Sequence, residues 1–480
     1  MARTVSRGVV QSRASALFLL LCGLLAVVAF AGVGHLFYGD FALDLGKLNY
    51  PPPALMAFLG YWTALGTVGL ACFSIGITRL VSRGGLAESV AAHWRRGSDR
   101  AWVLVGAACG CLLPYLLRRL LLRDVPLSDD EGSYLFSAQL LEQGRLYVES
   151  PVDKIFFDRQ FMVNDGRWYS QYFLGWPALM VPALVAGIPE VANPVYSALT
   201  VPALFLVSRD LFDSTWARVS VVLYLGSPQL MFAAATMLSH TSCLFALAWL
   251  TVFVLRSRGE HGGVASDAAV ALCFGVAFFI RPLTAVGFGL PLLALWAWGV
   301  RHRRQGRLRA VLALGVPALG LAALFLGVNA LQNGSPFRVA YEAVREYHAL
   351  NGFRFTTLTP DDTSRSTPLR LGEFARGLAL SGAAVFRLNG ALFGWPCSLL
   401  FVLAAWGLRE ARLWWWIVGC YFVSHLFSPS VGIDSFGPVK YLELSLALIL
   451  LSVAGLRRWI SKRITAGPLA WTRPLPYRTS

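Results

Sequence analysis

The sequence is poor in charged residues. Asp, Glu, Lys and Arg make up only 14% of its 480 residues, whereas a soluble domain has about 25%. A chain with so little charge cannot coat one large water-exposed surface, and its 56% hydrophobic content also excludes the disordered, collagenous and coiled-coil classes. The composition therefore predicts a protein that crosses a membrane several times.

Lysine and acidic residues are scarcer still. The chain has four lysines, and its 42 basic residues outnumber 26 acidic ones, giving a net charge of +16. The basic residues lie in short clusters between apolar runs, a distribution typical of cytoplasmic loops and not of a nucleic-acid-binding groove. These clusters are Arg95, Arg96 and Arg100; Arg256 and Arg258; Arg301 to Arg309; and Arg457, Arg458, Lys462 and Arg463. Nucleic acid is therefore excluded as a partner.

Specific cofactor signatures are also lacking. Seven of the eight cysteines lie inside apolar runs, and the Cys109/Cys111 pair has no histidine nearby, so neither disulfides nor a zinc site is predicted. No glycine-rich phosphate loop is present, so a nucleotide-binding domain is not expected.

Hydropathy predicts an all-α polytopic membrane protein, a bundle of about 12 transmembrane helices with a range of about 11 to 13. The basic N-terminus is interpreted as preceding an uncleaved first span, since its apolar run is longer than a secretory signal core. The proline-broken region 174–188 is predicted to dip into the membrane or lie along it, because only then do all later basic clusters face the cytoplasm. The predicted spans are 14–33, 54–78, 101–122, 193–208, 217–237, 240–255, 266–280, 283–300, 309–331, 392–408, 413–428 and 438–456.

This topology divides the chain into successive regions. Both termini are cytoplasmic, and the two long loops lie on the extracytoplasmic side. The regions are 1–100, two N-terminal helices and a basic loop; 101–331, a membrane core with the first external loop at 123–173; 332–391, a second external loop; 392–463, the C-terminal helices; and 464–480, a cytoplasmic tail. We expect the inner (plasma) membrane as the location.

The strongest local feature is an acidic motif at the mouth of a span. Nine of the 26 acidic residues fall between Asp124 and Asp165, and Asp129, Asp130 and Glu131 are adjacent. Like charge and partial desolvation raise the pKa of at least one such carboxyl, which suits a general base. The alternative is a helix N-terminus, where acidic residues are stabilised by the helix dipole. Within the motif, the sequence does not decide between Asp129 and Asp130 as the base.

Two further features lie on the same predicted face. The aromatic run 168–177 is either an interfacial anchor or a platform for a sugar ring, with Gln171 and tyrosine hydroxyls as hydrogen-bonding groups. His240, Arg281 and Lys440 stand at the outer ends of apolar segments, where cations suit a lipid-linked phosphate. Packing for His240 and snorkelling for Arg281 are the alternatives.

Taken together, these motifs resemble the GT-C superfamily of polytopic glycosyltransferases. The likeness is to the glycosyltransferase family 39-like bacterial branch, which is related to protein mannosyltransferases and lipid A aminoarabinose transferases, and it runs from about 124 to 456. The chain departs from the family pattern at Lys440, where relatives generally have Arg, and in its two additional N-terminal spans. The motifs are Asp130-Glu131-x-x-Tyr134, Ser170 to Pro177, Ser239-His240-Thr241, Arg281-Pro282-Leu283-Thr284, Asn389-Gly390 with Phe393-Gly394-Trp395-Pro396, and Gly437 to Tyr441.

The resemblance implies transfer of a sugar from a polyprenyl-phosphate donor to an acceptor hydroxyl, with inversion, on the extracytoplasmic face. Asp130, Asp129 or Glu131 would act in catalysis, and Arg281, Lys440 and His240 would bind the donor phosphate. The acceptor is a lipid, a glycan or a protein, no nucleotide is needed, and a divalent metal ion near the acidic motif stays an open alternative. The expected sugar- and acceptor-binding residues are Tyr134, Gln171, Tyr172, Trp176, Asn389, Trp395 and Tyr441.

Two other functions compete with this one. A transporter or flippase of lipid-linked sugars would hold polar residues near the bilayer midplane, whereas here they collect at one face. A membrane scaffold has no reason to gather carboxylates at a span mouth.

Overall fold

A computed structural model describes most of the chain. Residues 54–67 of the second predicted span, 345–370 of the second external loop, the basic residues Arg95 and Arg96, and the tail beyond 465 lie outside the described part. The described residues are 15–26, 28–29, 68–81, 94, 97–126, 128–159, 161–258, 262–303, 305–344, 371–395, 397–426, 433–434 and 437–465.

Most of the described residues are helical. A short π-helical segment, Arg118–Leu122, directly follows the helix Asp99–Leu117, and 3₁₀ turns lie at Pro189–Val191 and Val439–Tyr441. The helices are α1 Ser15–Ala26, α2 Gly69–Val81, α3 Asp99–Leu117, α4 Asp129–Glu142, α5 Lys154–Phe157, α6 Gly175–Val185, α7 Ala192–Leu211, α8 Ser214–Leu225, α9 Pro228–Ala235, α10 His240–Arg258, α11 Val264–Ile280, α12 Pro282–Arg301, α13 Arg307–Asn333, α14 Leu371–Ala391, α15 Leu400–Ala404, α16 Arg412–Leu426 and α17 Ser445–Thr465.

Five helical segments in the described part are long and apolar enough to cross a membrane, and three shorter apolar helices, α1, α6 and α11, accompany them. The predicted all-α membrane fold is therefore confirmed, while the number twelve stays a prediction. The five segments are Asp99–Leu122, Pro189–Leu211, His240–Arg258, Pro282–Arg301 and Arg307–Asn333.

The bundle is organised around α10. This helix packs against α7, α11 and α12, and 72% of its most apolar stretch is buried. By contrast α13 packs mainly against α11, and none of its most apolar stretch is buried. A wholly apolar helix surface that no protein covers is suited to lipid.

Two predicted spans are interrupted. The span predicted at 217–237 consists of α8 and α9, separated at Gly226 and Ser227; the Ser227 hydroxyl accepts from the backbone N–H of Leu230 and caps α9, which Pro228 begins. The span predicted at 392–408 contains only the five-residue α15. Gly394 and Gly407, with φ of 71° and 80°, adopt left-handed backbone that a continuous helix excludes.

The external loops also differ from the prediction. The last 21 residues of the loop predicted at 332–391 form α14, which packs against α16. Three charged residues lower the mean hydropathy of this helix, so hydropathy does not identify it as a span. They are Glu373, Arg376 and Arg387.

The first external loop begins with α4 and continues as a small antiparallel sheet that was not predicted. Strands β1 Val148–Glu149, β2 Met162–Asp165 and β3 Arg167–Ser170 lie in the order β1-β3-β2. Gly166, with φ of 73°, reverses the chain between β2 and β3. A second pair, β4 Ile433–Asp434 and β5 Gly437–Pro438, precedes α17.

The proline-rich region 174–188 forms α6, which has 11 residues. At about 1.5 Å per residue such a helix is about 16 Å long, roughly half the hydrocarbon thickness of about 30 Å. By length α6 cannot cross the bilayer alone, which agrees with the predicted helix that dips in or lies along the interface.

Candidate functional site

The acidic motif forms the first turn of α4, where the carboxylates are favoured by the helix dipole. Successive helical residues point about 100° apart, so its three members have different surroundings. Asp129 is exposed, Asp130 is half-buried and Glu131 is buried. The motif is therefore a helix N-terminus whose carboxylates differ in exposure, and the general-base interpretation stays a prediction.

Glu131 is held inside the protein. Its Oε2 atom lies 3.5 Å from Nη1 of Arg118 and accepts a 3.0 Å hydrogen bond from the backbone N–H of Met237. Arg118 also donates to the carbonyl of Ala235 at 3.0 Å. The sequence predicted a catalytic role for Glu131, but a carboxylate with 0% exposure and internal partners is better suited to anchoring α4.

Asp130 has the surroundings of a base. The Tyr172 hydroxyl donates a hydrogen bond to its Oδ1 atom. Burial raises the pKa of Asp130, and the neighbouring charge of Asp129 raises it further, whereas the Tyr172 hydrogen bond and the charges of Arg281 and Lys440 oppose this rise. Residues from three distant parts of the chain, together with the adjacent Asp129, therefore act on one carboxyl.

Aromatic rings hold Tyr172 in place. Its ring centroid lies 4.4 Å from that of Tyr134, 5.6 Å from Phe161 and 5.7 Å from Tyr341. Burial raises the pKa of Tyr172 well above its ordinary value, so the phenol stays a neutral donor to Asp130. Tyr341 was not predicted from the sequence, because nothing near it in the chain marks it.

A short connection between α9 and α10, residues 236–239, runs beside these rings. Nδ2 of Asn193 donates to the carbonyls of Thr236 and Leu238, both at 2.7 Å, and the Trp176 indole N–H donates to the carbonyl of Met237 at 2.7 Å. Trp176 has 0% exposure, so its indole supports backbone and has no free face for the predicted sugar contact.

Ser239, at the end of this connection, joins the aromatic and cationic parts of the site. Its hydroxyl lies 2.9 Å from that of Tyr134 and accepts from Nη1 of Arg281 at 3.2 Å. Arg281 lies between α11 and α12, and its Nε is 3.2 Å from Oε1 of Glu443. The guanidinium is thus fixed from two sides.

Glu443 is a site residue that sequence reasoning missed. His240 approaches its Oε1 with Nδ1 at 3.1 Å, and the Tyr421 hydroxyl lies 3.0 Å from its Oε2. A signal was present, because Glu443 is a carboxylate inside the apolar run 438–456, and an ionisable residue within a span indicates a functional site.

Lys440 and Tyr441 lie on the 3₁₀ turn before α17. The Lys440 carbonyl accepts a hydrogen bond from the Tyr421 hydroxyl at 2.7 Å. The side-chain ammonium of Lys440 lies close enough to lower the pKa of Asp130. Tyr441 is buried, with its hydroxyl 3.2 Å from that of Ser381 and its ring 5.0 Å from Phe422.

Three predicted sugar- or acceptor-binding residues have contacts elsewhere. The Asn389 side chain accepts from the backbone N–H of Leu399 at 3.0 Å and orders the turn before α15. The Trp395 carbonyl accepts from the Ser398 hydroxyl at 2.7 Å. The backbone N–H of Gln171 donates to the carbonyl of Phe161 at 2.9 Å. Roles for these three in binding stay predictions.

Two members of the acidic motif have protein partners. Glu131 is engaged by Arg118 and Met237, and Asp130 by Tyr172. Within the described residues no three His, Cys, Asp or Glu side chains converge as metal ligands. A divalent metal ion near the motif therefore stays a prediction.

Comparison with known families and with curated protein sequences finds no match. The fold is similar to that of several solved membrane proteins. One is an ArnT from Cupriavidus metallidurans bound to undecaprenyl phosphate, with 16% identity and a TM-score of 0.48, over 77% of this chain and 63% of that one.

Two further structures show the same kind of similarity. The arabinosyltransferase EmbB from Mycobacterium smegmatis has 15% identity and a TM-score of 0.41, over 81% of this chain and 34% of that one. The archaeal oligosaccharyltransferase AglB from Archaeoglobus fulgidus, with an inhibitory peptide and a dolichol-phosphate, has 14% identity and a TM-score of 0.38, over 79% and 53%. The chain spans less than two thirds of each of the three proteins. At these identities the likeness concerns the fold alone.

Proposed function

We propose that the chain is a membrane glycosyltransferase that moves a sugar from a polyprenyl-phosphate donor to an acceptor hydroxyl on the extracytoplasmic face. The observation that carries this proposal is the convergence of one half-buried carboxyl, Asp130, with two cations, Arg281 and Lys440, whose charges act on it. The three residues are distant in the sequence, so the fold alone brings them together.

Asp130 acts as the general base. Its raised pKa moves it from the range of ordinary carboxyls toward neutral pH, where a base is most effective. It takes the proton of the acceptor hydroxyl while the acceptor oxygen forms a bond to the anomeric carbon. In-line attack inverts the configuration at that carbon.

The cations act on the leaving group. As the bond between the anomeric carbon and the phosphate oxygen breaks, the electron pair leaves with the polyprenyl phosphate, and negative charge grows there. Arg281 and Lys440 stabilise this charge, and His240, 3.1 Å from Glu443, lies beside them. Fixed cations in a partly dehydrated site are worth more than in water because no solvent has to reorganise.

The test replaces the base. We expect Asp130→Asn, which keeps the shape and removes the proton acceptor, to lower the rate of sugar transfer about 10²–10⁴-fold. Transfer is measured in membranes from a radiolabelled polyprenyl-phosphate sugar. Asp129→Asn is the matched control. Because the Asp129 carboxylate is exposed, we expect this variant to retain most of the wild-type activity.

Equal losses in the two variants would contradict the assignment of Asp130. Wild-type activity in Asp130→Asn would remove the proposed base. If the native protein transfers sugar from no polyprenyl-phosphate donor but moves such a lipid across proteoliposomes, the transporter alternative is favoured.

A further inference from the structure

Glu443, a carboxylate that no sequence motif marks, lies at the centre of the cationic side of the site. Its side chain has 0% exposure. Both oxygens have partners: Oε1 lies 3.2 Å from Arg281 Nε and 3.1 Å from His240 Nδ1, and Oε2 lies 3.0 Å from the Tyr421 hydroxyl. A buried carboxylate is expensive unless it is fully paired, so this arrangement needs an explanation.

We propose that Glu443 is a positioning residue that fixes the Arg281 guanidinium for the phosphate of the lipid-linked donor. This inference rests on the proposed function. Its partners come from α10, from the junction of α11 and α12, and from α16, so one carboxylate holds three elements in register around the phosphate-binding cation.

The geometry of Arg281 supports this role. Nε lies 3.2 Å from Oε1 of Glu443 and donates to Oγ1 of Thr284 at 3.5 Å, and Nη1 donates to the Ser239 hydroxyl at 3.2 Å. Because a guanidinium is planar, fixing two of its nitrogens fixes the third. Nη2 has no hydrogen-bond partner among the residues that the structure describes, and the side chain is 19% exposed. One edge of Arg281 thus stays available for an anion while the others are clamped.

The direction in which phosphate binding changes on mutation distinguishes a positioning role of Glu443 from a purely electrostatic one. A carboxylate near a phosphate repels it, so removing the charge of Glu443 would by Coulomb's law alone strengthen phosphate binding. Loss of orientation has the opposite effect, because a displaced guanidinium no longer meets the phosphate in the reactive geometry.

The experiment uses the full-length protein in lipid nanodiscs and compares binding of undecaprenyl phosphate with that of undecaprenol, which has the same tail and no phosphate. We expect Glu443→Gln to weaken the phosphate-dependent part of the affinity roughly tenfold and to lower kcat about 10²-fold. Because Glu443 acts through Arg281, the double variant Arg281→Gln/Glu443→Gln should be no worse than Arg281→Gln alone.

Asp267→Asn is the matched control. Asp267 is a second buried carboxylate, paired with Arg303 at 2.7 Å and accepting from Trp296 at 2.8 Å. It lies near the N-terminus of α11, at the opposite end from Arg281. We expect its loss to lower thermal stability while phosphate affinity and kcat stay near those of the wild type.

Unchanged or tighter phosphate binding in Glu443→Gln overturns the proposal, as do additive losses in the double variant. If Glu443→Gln fails to fold, Glu443→Asp replaces it. That variant keeps the charge but shortens the side chain, so we expect a similar fall in kcat, and wild-type kcat would overturn the proposal. A native protein that binds undecaprenol as tightly as undecaprenyl phosphate overturns the phosphate site itself, and the role of Glu443 with it.

Discussion

Asp130 and Glu131 are adjacent in the sequence, yet their carboxylates have separate partners. Asp130 contacts Tyr172 on the loop after β3, while Glu131 binds Arg118 and the backbone of Met237. The buried member of the pair fixes α4 against the connection that carries Ser239, and the half-buried member stays accessible to substrate. One helical turn thus combines an anchor with a reactive group.

The hydrogen bond from Tyr172 limits how far burial raises the pKa of Asp130. This bond stabilises the ionised carboxylate and lowers the pKa of Asp130 against the effect of burial. Removing it in Tyr172→Phe raises that pKa further, and since the base must be ionised, activity is lost at a higher pH on acidification. We expect the acid limb of the kcat/KM profile, which reports the free enzyme, to shift upward.

Tyr169→Phe is the control for this prediction. Tyr169 lies on β3, is buried, and pairs with Val163 across the sheet. We expect its pH profile to match that of the wild type. An acid limb that moves down or stays fixed in Tyr172→Phe would contradict the assigned hydrogen bond.

Asp130, Arg281, His240 and Lys440 were predicted from the sequence because charge is conspicuous at the ends of apolar runs. Glu443 was missed because hydropathy averages over a window, and one carboxylate barely changes the mean of the run 438–456. Trp176 was assigned to sugar because an aromatic side chain looks the same in sequence whether its face is free or buried. Only tertiary contacts distinguish these cases.

At the scale of elements, the close approach of α6 to the end of α11 positions Arg281. Gly175 begins α6, and a Cβ atom there would lie 2.5 Å from the backbone carbon of Phe279 and 2.6 Å from the nitrogen of Ile280. Backbone cannot move aside as a flexible side chain does. The residue that follows Ile280 is Arg281, so any displacement moves the guanidinium.

Gly175→Ala is therefore expected to destabilise the protein by about 1–3 kcal/mol, the usual effect of overpacking, and to lower sugar transfer together with stability. Thermal unfolding in detergent and the transfer assay measure the two effects. Gly320→Ala on α13, where a Cβ meets nothing within 4 Å, is the control and should change neither. A fully stable and active Gly175→Ala protein would show that the contact is unimportant.

The helices of the core were predictable because long apolar runs flanked by arginine have few other interpretations. The breaks were harder to predict. The division of α8 from α9 depends on capping by Ser227, and the β2–β3 hairpin depends on one glycine, Gly166. Such local signals are weak beside the hydropathy of a whole span, so the sheet and the short α15 emerge only in three dimensions.

At the scale of the whole molecule, the basic residues and the candidate site lie at opposite ends of the helices. Helix α10 begins at His240 and ends at the basic residue Arg258. Helix α12 begins beside Arg281 and ends at the basic residue Arg301. The Asp267–Arg303 pair also lies at the basic end. Under the proposed topology, with the basic ends in the cytoplasm, we expect the site to face the other side and the substrate to approach Asp130 from there.

The lipid-facing helix α13 has a consequence of its own. Its 27 residues extend about 40 Å, more than the bilayer's hydrocarbon thickness of about 30 Å, so it must tilt or project beyond the membrane. Its last turn is bonded to β3 and to the segment before β1. Arg167 on β3 donates to the carbonyl of Leu331 at 2.9 Å, and Gln332 donates to the carbonyl of Leu146 at 3.2 Å.

Membrane thickness should therefore act on catalysis. A change in the tilt of α13 is transmitted through Arg167 to β3, and Tyr172 follows that strand directly. In vesicles of phosphatidylcholines with increasing acyl length, we expect the transfer rate to pass through a maximum, and Arg167→Ala to flatten this dependence. A native transfer rate that is the same at every acyl-chain length would contradict this prediction. Under the proposed function, the hydrogen bond from Arg167 to Leu331 would make the transfer rate depend on the thickness of the bilayer.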